Sequence, residues 1–306
     1  MLLSNRVNIF IFFLVFISLI IFTVLNFSAC FKLPPYGYIN GYSSLIHSKK
    51  FCITDNQSKI FFETNPEGAR ILQDLPNNNF AKVFGDSQVL GLDVKIKADH
   101  YLNNIFPNKN FLIYAAPNNG PYEVLNSLEL NVQDYEHIIL TFNASTDFYR
   151  INNEWNMYDH VHLSLNRAKL LSSFPLFYDF YKLIIFYKNN YKSEIFDNKQ
   201  MQNLFLGSNN ETILKNIDTY FEKLDSLAHL KEISFDFVFT HPYWLYDFSN
   251  GGLSINKKVF SKYDELIFKI STKYPDIIFS KPQFNLNINK LTHDKRHLRS
   301  NIFTFH

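Results

Sequence analysis

The chain has 306 residues, 46% hydrophobic and 17% aromatic, which excludes a disordered or low-complexity protein and suits one main domain with a large core. A net charge of +2 makes no field strong enough to gather nucleic acid, so no nucleic-acid partner is expected. With only Cys30 and Cys52, neither a disulfide scaffold nor a cysteine-based zinc site can form, although one Cys30–Cys52 bridge can.

From Ile9 to Leu25 the sequence IFIFFLVFISLIIFTVL carries no charge, and it lies between Arg6 and Asn26. This length is at the lower limit for a helix that crosses a bilayer, and the run lacks the polar face of a soluble surface helix. The expectation is one N-terminal transmembrane segment. Residues 1–30 then form a membrane anchor or signal segment, with membrane contact through residues 9–25 and the remaining mass extracytoplasmic, at the cell surface or in the periplasm. Two alternatives stand beside the anchor. Phe27-Ser28-Ala29-Cys30 resembles a bacterial lipobox and would give a lipoprotein, whereas a cleaved signal would give a secreted protein.

Residues 31–79, with Pro34-Pro35, a strand-like KIFFET at 59–64 and the turn Asn65-Pro66-Glu67-Gly68, read as lead-in strands and turns packed on the main body. Residues 80–306 read as an α/β domain. Strands are expected at 81–84, 111–115, 137–142, 235–240 and 276–279. Helix-length segments at 88–105, 121–133, 211–232 and 257–273 separate them. Their alternation implies a three-layer α/β/α sandwich around a five-stranded parallel sheet. The aromatic stretch 155–207 reads as a mostly helical insertion, too long for a plain loop.

Val83-Phe84-Gly85-Asp86-Ser87-Gln88 puts Ser87 directly after a strand and directly before a helix-length segment. In a parallel sheet that is the ligand-binding edge, and helix amides there suit a developing oxyanion. A helix N-cap after a tight turn accounts for the same tripeptide. A serine nucleophile needs a base and the base needs an orienter; Asp294 and His297, three residues apart after the last strand, supply both, although a solvated turn fits them too. His160 and His162 lack a third ligand at metal spacing, so no metal is expected, nor any cofactor, there being no phosphate-cradling glycine loop. Tyr243, Trp244 and Tyr246 follow the fourth strand, where they suit sugar stacking or core packing about equally.

Together Gly85-Asp86-Ser87 and Asp294-x-x-His297 resemble the first and last blocks of the SGNH hydrolases, the GDSL-type esterase and acyltransferase superfamily, over roughly residues 80–300. The resemblance implies the flavodoxin-like fold, Ser87 as nucleophile, His297 as general base and acid, and Asp294 as orienter. It implies an oxyanion hole built from the Ser87 amide and a second-block glycine, for which Asn118-Asn119-Gly120 offers Gly120; an ordinary Asn-Gly turn reads as well there. The third block departs from the family pattern. Where the family has Gly-x-Asn-Asp, this chain has Phe142-Asn143-Ala144-Ser145-Thr146-Asp147, so that Thr146 replaces the oxyanion asparagine and Asn143 is the nearest substitute. The implied activity is that of a serine esterase or O-acyltransferase, its substrate a small acyl ester on an extracytoplasmic glycan or lipid. The alternative is a catalytically silent protein of the same fold that binds surface glycan or an export-system partner, which the loss of an oxyanion donor favours. A merely structural tethered protein is the third reading.

Overall fold

The structure is a computed structural model, and it describes residues 2–55, 58–76, 79–117, 119–144, 147–149, 163–188, 198–247, 254–282, 298 and 303–305. Helix α1 (Leu2–Ser28) contains the uncharged run. Its described side chains extend from Phe10 to Leu25. At 1.5 Å per residue these cover about 24 Å, against a hydrocarbon core of about 30 Å. Among the described residues no helix is long and apolar enough to cross a membrane, which corrects the expected transmembrane segment.

Two hairpins follow. Strands β1 (Tyr36–Ile39) and β2 (Tyr42–Leu45) pair antiparallel, as do β3 (Lys50–Asp55) and β4 (Ser58–Glu63). Asn40 and Gly41, both at positive φ, make the tight turn of the first, the pairing that two-residue hairpin loops demand. A disulfide between Cys30 and Cys52 fastens the end of α1 to β3, and Phe31 exchanges backbone hydrogen bonds with Cys52 and Thr54. Strand β5 (Arg70–Leu72) then leaves the hairpins and joins the main sheet.

The main body comprises β6 (Phe80–Gly85), α2 (Ser87–Leu90), α3 (Leu102–Ile105), β7 (Asn110–Ala115), α4 (Pro121–Asn131) and β8 (His137–Asn143). It continues through α5 (Leu165–Leu171), α6 (Pro175–Lys188), α7 (Asn198–Gly207), α8 (Asn210–Lys231) and β9 (Ser234–Thr240). After a small ribbon of β10 (Tyr246–Asp247) and β11 (Ser254–Ile255) come α9 (Lys257–Lys273), β12 (Ile278–Lys281) and β13 (Thr304–Phe305). The sheet order is β13-β12-β9-β8-β6-β7-β5. The five inner strands are parallel, while β5 and β13 run antiparallel at the two edges.

The expected five-stranded parallel sheet is thus a seven-stranded mixed one. An open parallel sheet leaves two rows of unpaired backbone groups, and these two short strands cover them. Neither is long enough to carry a legible alternation.

Helix α4 packs on α8 and α8 on α9; with the order reversing at β6, the right-handed rule for parallel crossovers assigns these three helices to the sheet face opposite α2 and α3. The apolar spacing of α8 buries Ile213, Ile217, Tyr220, Phe221, Leu224 and Leu227 as a single stripe. The expected helix over 88–105 breaks into pieces, because Gly91 takes a left-handed conformation (φ 65°) and ends α2 after one turn. Within 155–207, α5, α6 and α7 are helical, and residues 155–162 and 189–197 lie outside the described residues.

Candidate active site

All five parallel strands end at one edge. Chain order reverses between β6 and β8, since β6 leads outward to β7 and the chain then returns past β6 to form β8. At such a switch point the carboxyl ends of adjacent strands part and leave a crevice. Gly85, Asp86 and Ser87 lie at the end of β6, and Asn143 lies at the end of β8.

Gly85 is required by packing. A Cβ there would lie 1.9 Å from Thr141 Oγ1 and 2.7 Å from Val89 Cγ1, so no larger residue fits without displacing β8 or α2. Asp86 is extended and caps α2, its Oδ1 accepting the Gln88 amide at 2.8 Å. Its Oδ2 accepts from Asn143 Nδ2 at 3.0 Å, while the Asn143 amide donates to Asp147 Oδ2 at 2.9 Å. These three side chains are buried and tie β6 to β8 across the switch point. Ser87, the first residue of α2, is half-buried beside them.

The helix carrying Ser87 has only one turn, so what holds its far end decides where the serine sits. His100 Nε2 donates to the Val89 carbonyl at 2.8 Å and its Nδ1 accepts the Leu102 amide at 3.2 Å, an arrangement that fixes the neutral tautomer. Burial pushes this imidazole down to about 3, with the Arg70 charge adding to the effect and the Val89 bond opposing it. Arg70, on β5, lies fully buried over the Phe62 ring at 3.8 Å. Its Nη1 donates to the carbonyls of Leu90 and Gly91 at 2.5 and 2.6 Å, and its Nη2 to that of Val94 at 2.6 Å. A cation on the last carbonyls of a helix also meets the negative end of its dipole. Desolvation lowers the guanidinium to about 9, opposed by Asp93.

Gln88 makes the longest link in sequence. Its Nε2 donates to the Leu298 carbonyl at 2.7 Å and its Oε1 accepts the Leu298 amide at 3.0 Å. The buried Leu298, one residue beyond His297 in the chain, is therefore held against Gln88, the residue after Ser87.

Other expected site residues fare differently. Gly120 is the N-cap of α4, after β7, but its amide donates to Glu123 Oε2 at 2.9 Å. Its neighbour Asn119 grips the backbone of Ser43 through both ends of its amide, at 2.8 and 3.0 Å. The Asn143 side chain, expected near the oxyanion, donates to Asp86. Thr146, Asp294 and His297 lie outside the described residues, as do His160 and His162. Tyr243, Trp244 and Tyr246 are buried, so core packing and not sugar stacking accounts for them. No group of three metal-ligating side chains occurs among the described residues.

Sequence reasoning missed Arg70, Gln88, His100, Glu123 and His241. The capture of the Gly120 amide had a signal, since Pro121 at the first helical position and Glu123 at the third form a recognisable helix start. His241, at the end of β9, bonds Ser280 Oγ through Nδ1 at 2.8 Å and the Tyr246 hydroxyl through Nε2 at 3.0 Å. Burial pushes it down to about 3, which makes it a neutral packing element and a poor base. No protein-family model matches the chain, and no curated protein matches it either.

Proposed function

We propose that the protein is a serine esterase or O-acyltransferase of the SGNH type, acting on a small acyl ester of a glycan or lipid outside the cytoplasm. One observation carries the reading. Gln88, next to Ser87, holds Leu298, the residue that follows His297 in the sequence, through two hydrogen bonds that span 210 residues of chain. The strand order adds support, because Ser87 stands at a switch point, where α/β sheets bind ligands.

In this reading Ser87 Oγ attacks the acyl carbonyl as His297 takes its proton and Asp294 holds the ring. The collapsing tetrahedral adduct expels the substrate alkoxide, to which His297 returns the proton. Water or an acceptor hydroxyl then attacks the Ser87 ester by the same steps in reverse. The Cys30–Cys52 bridge supports an oxidising compartment, and it leaves Cys30 no thiol for the acylation of a lipoprotein.

A second reading, a silent protein of the same fold, is favoured by a specific feature: the Gly120 amide and the Asn143 side chain both already donate to carboxylates. Hydrolysis of p-nitrophenyl acetate separates the two. An enzyme loses on the order of 10³-fold or more in turnover with Ser87→Ala, and gains several-fold with Thr146→Asn, which returns an amide donor to the third block. Folded wild-type and Thr146→Asn proteins that both lack Ser87-dependent turnover would establish the silent reading.

A further inference from the structure

Helix α6 is built inside out. Its described outward positions, spaced to form one continuous stripe, are Leu176, Phe177, Phe180, Leu183 and Ile184, with Phe180 57% and Leu183 51% exposed. Its described charged residues, Asp179 and Lys182, face inward instead. Asp179 Oδ2 accepts the Lys32 amide at 3.0 Å, and Lys182 Nζ lies 4.3 Å from the centre of the Tyr36 ring. Between them Tyr178 is buried and exchanges hydrogen bonds with the Tyr36 backbone. A surface helix in water has the opposite arrangement, with its apolar stripe on the core and its charges outside.

A partner protein with a groove would cover one face of one helix. Here the neighbouring element makes that occupant a poor fit. Helix α1 contacts α6, and Lys32, just past the end of α1, is the residue that Asp179 holds. From Phe10 to Leu25 the large apolar side chains of α1 are exposed around its whole circumference. Two adjacent helices, one apolar on every side and the other apolar outward, present one continuous apolar surface. The interface of a lipid layer covers such a surface without being crossed, with both helices lying flat at its boundary.

We propose that the outward face of α6 is a lipid-docking surface that seats the protein body against the membrane beside α1. The inference is independent of the hydrolase reading. It is also local, which makes it testable in the full chain. Both cysteines of the sequence are bonded to each other, so a single introduced cysteine carries the only free thiol. Phe180→Cys and, as control, Leu230→Cys on α8, 80% exposed, each receive a nitrobenzoxadiazole label. The labelled full chains are reconstituted in vesicles of phosphatidylcholine and phosphatidylglycerol in equal parts. The expected result is blue-shifted emission at position 180 that doxyl-labelled lipid quenches, with neither effect at position 230. Emission at 180 as water-like as at 230 overturns the proposal. So does a blue shift that doxyl lipid leaves untouched, because then a second copy of the chain covers the face.

Discussion

The two ends of the central sheet each carry a serine, a histidine or its neighbour, and an aspartate, and they differ in everything else. At the amino end His137 stands between Ser234 Oγ and Asp236 Oδ2, 2.9 Å from each, with Ser234 directly opposite it in the β8–β9 register. By distance alone this is a good triad. Yet the serine bonds Nδ1 and the aspartate Nε2, the reverse of the arrangement that aims a base at a nucleophile, and the histidine and aspartate side chains are 49% and 39% exposed. The parallel strands begin at this edge, so Ser234 opens a strand and not a helix. At the carboxyl end Ser87 opens a helix, and buried Asp86, Asn143, His100 and Arg70 fix its surroundings. Shielding and place in the topology, more than pairwise distance, separate a candidate site from a surface cluster.

The strongest way to break this comparison is kinetic. Ser234→Ala and His137→Ala are expected to leave p-nitrophenyl acetate turnover unchanged, while Ser87→Ala abolishes it by on the order of 10³-fold or more; a Ser234-dependent rate would invert the assignment of the two ends.

A second contrast is acid sensitivity. Folded His100 and His241 sit at about 3 against an ordinary 6.5. Above pH 6.5 both are neutral whether folded or not, and the stability they permit is complete. As pH falls below 6.5 the unfolded chain binds protons that the folded protein refuses, so stability drops by about 1.4 kcal/mol per pH unit for each histidine until about pH 3. Urea unfolding at pH 7 and pH 5 measures it, and His241→Gln should reduce the slope.

Packing gives the third test. Gly85→Ala should cost about 3 kcal/mol, given the contact with Thr141. Gly207→Ala, with nothing within 4 Å of its added methyl group, should be neutral or stabilising by up to about 1 kcal/mol. Equal thermal midpoints for the two variants would show that the carboxyl edge is looser than its contacts indicate. The smallest effect is expected at the amino edge, where His137→Ala should change unfolding free energy by less than about 1 kcal/mol, as exposed side-chain pairs do.

What the sequence revealed of this arrangement follows from how local each cause is. The strand over His137–Asn143 and the helix over Lys257–Lys273 announce themselves through apolar spacing within one segment. Gly85-Asp86-Ser87 was legible because a turn motif follows a strand without a gap. Arg70 was not, since its partners are backbone carbonyls 20 to 24 residues away that no side-chain pattern encodes. The bond between Gln88 and Leu298 spans the domain, and only the fold brings them together. Helix α6 misleads for another reason: its apolar period is clear in the sequence, but period alone does not say whether the stripe faces the core or the outside.

The bridge between Cys30 and Cys52 closes a loop with a separation of 22 residues at the junction of α1 and the body. A protease that cuts once between those cysteines severs the backbone without parting the two sides, because sulfur still joins Cys30, at the end of α1, to β3. The nicked chain would run as one band on a gel until a reductant is added, and after such a cut reduction is the step that sets the body loose from α1.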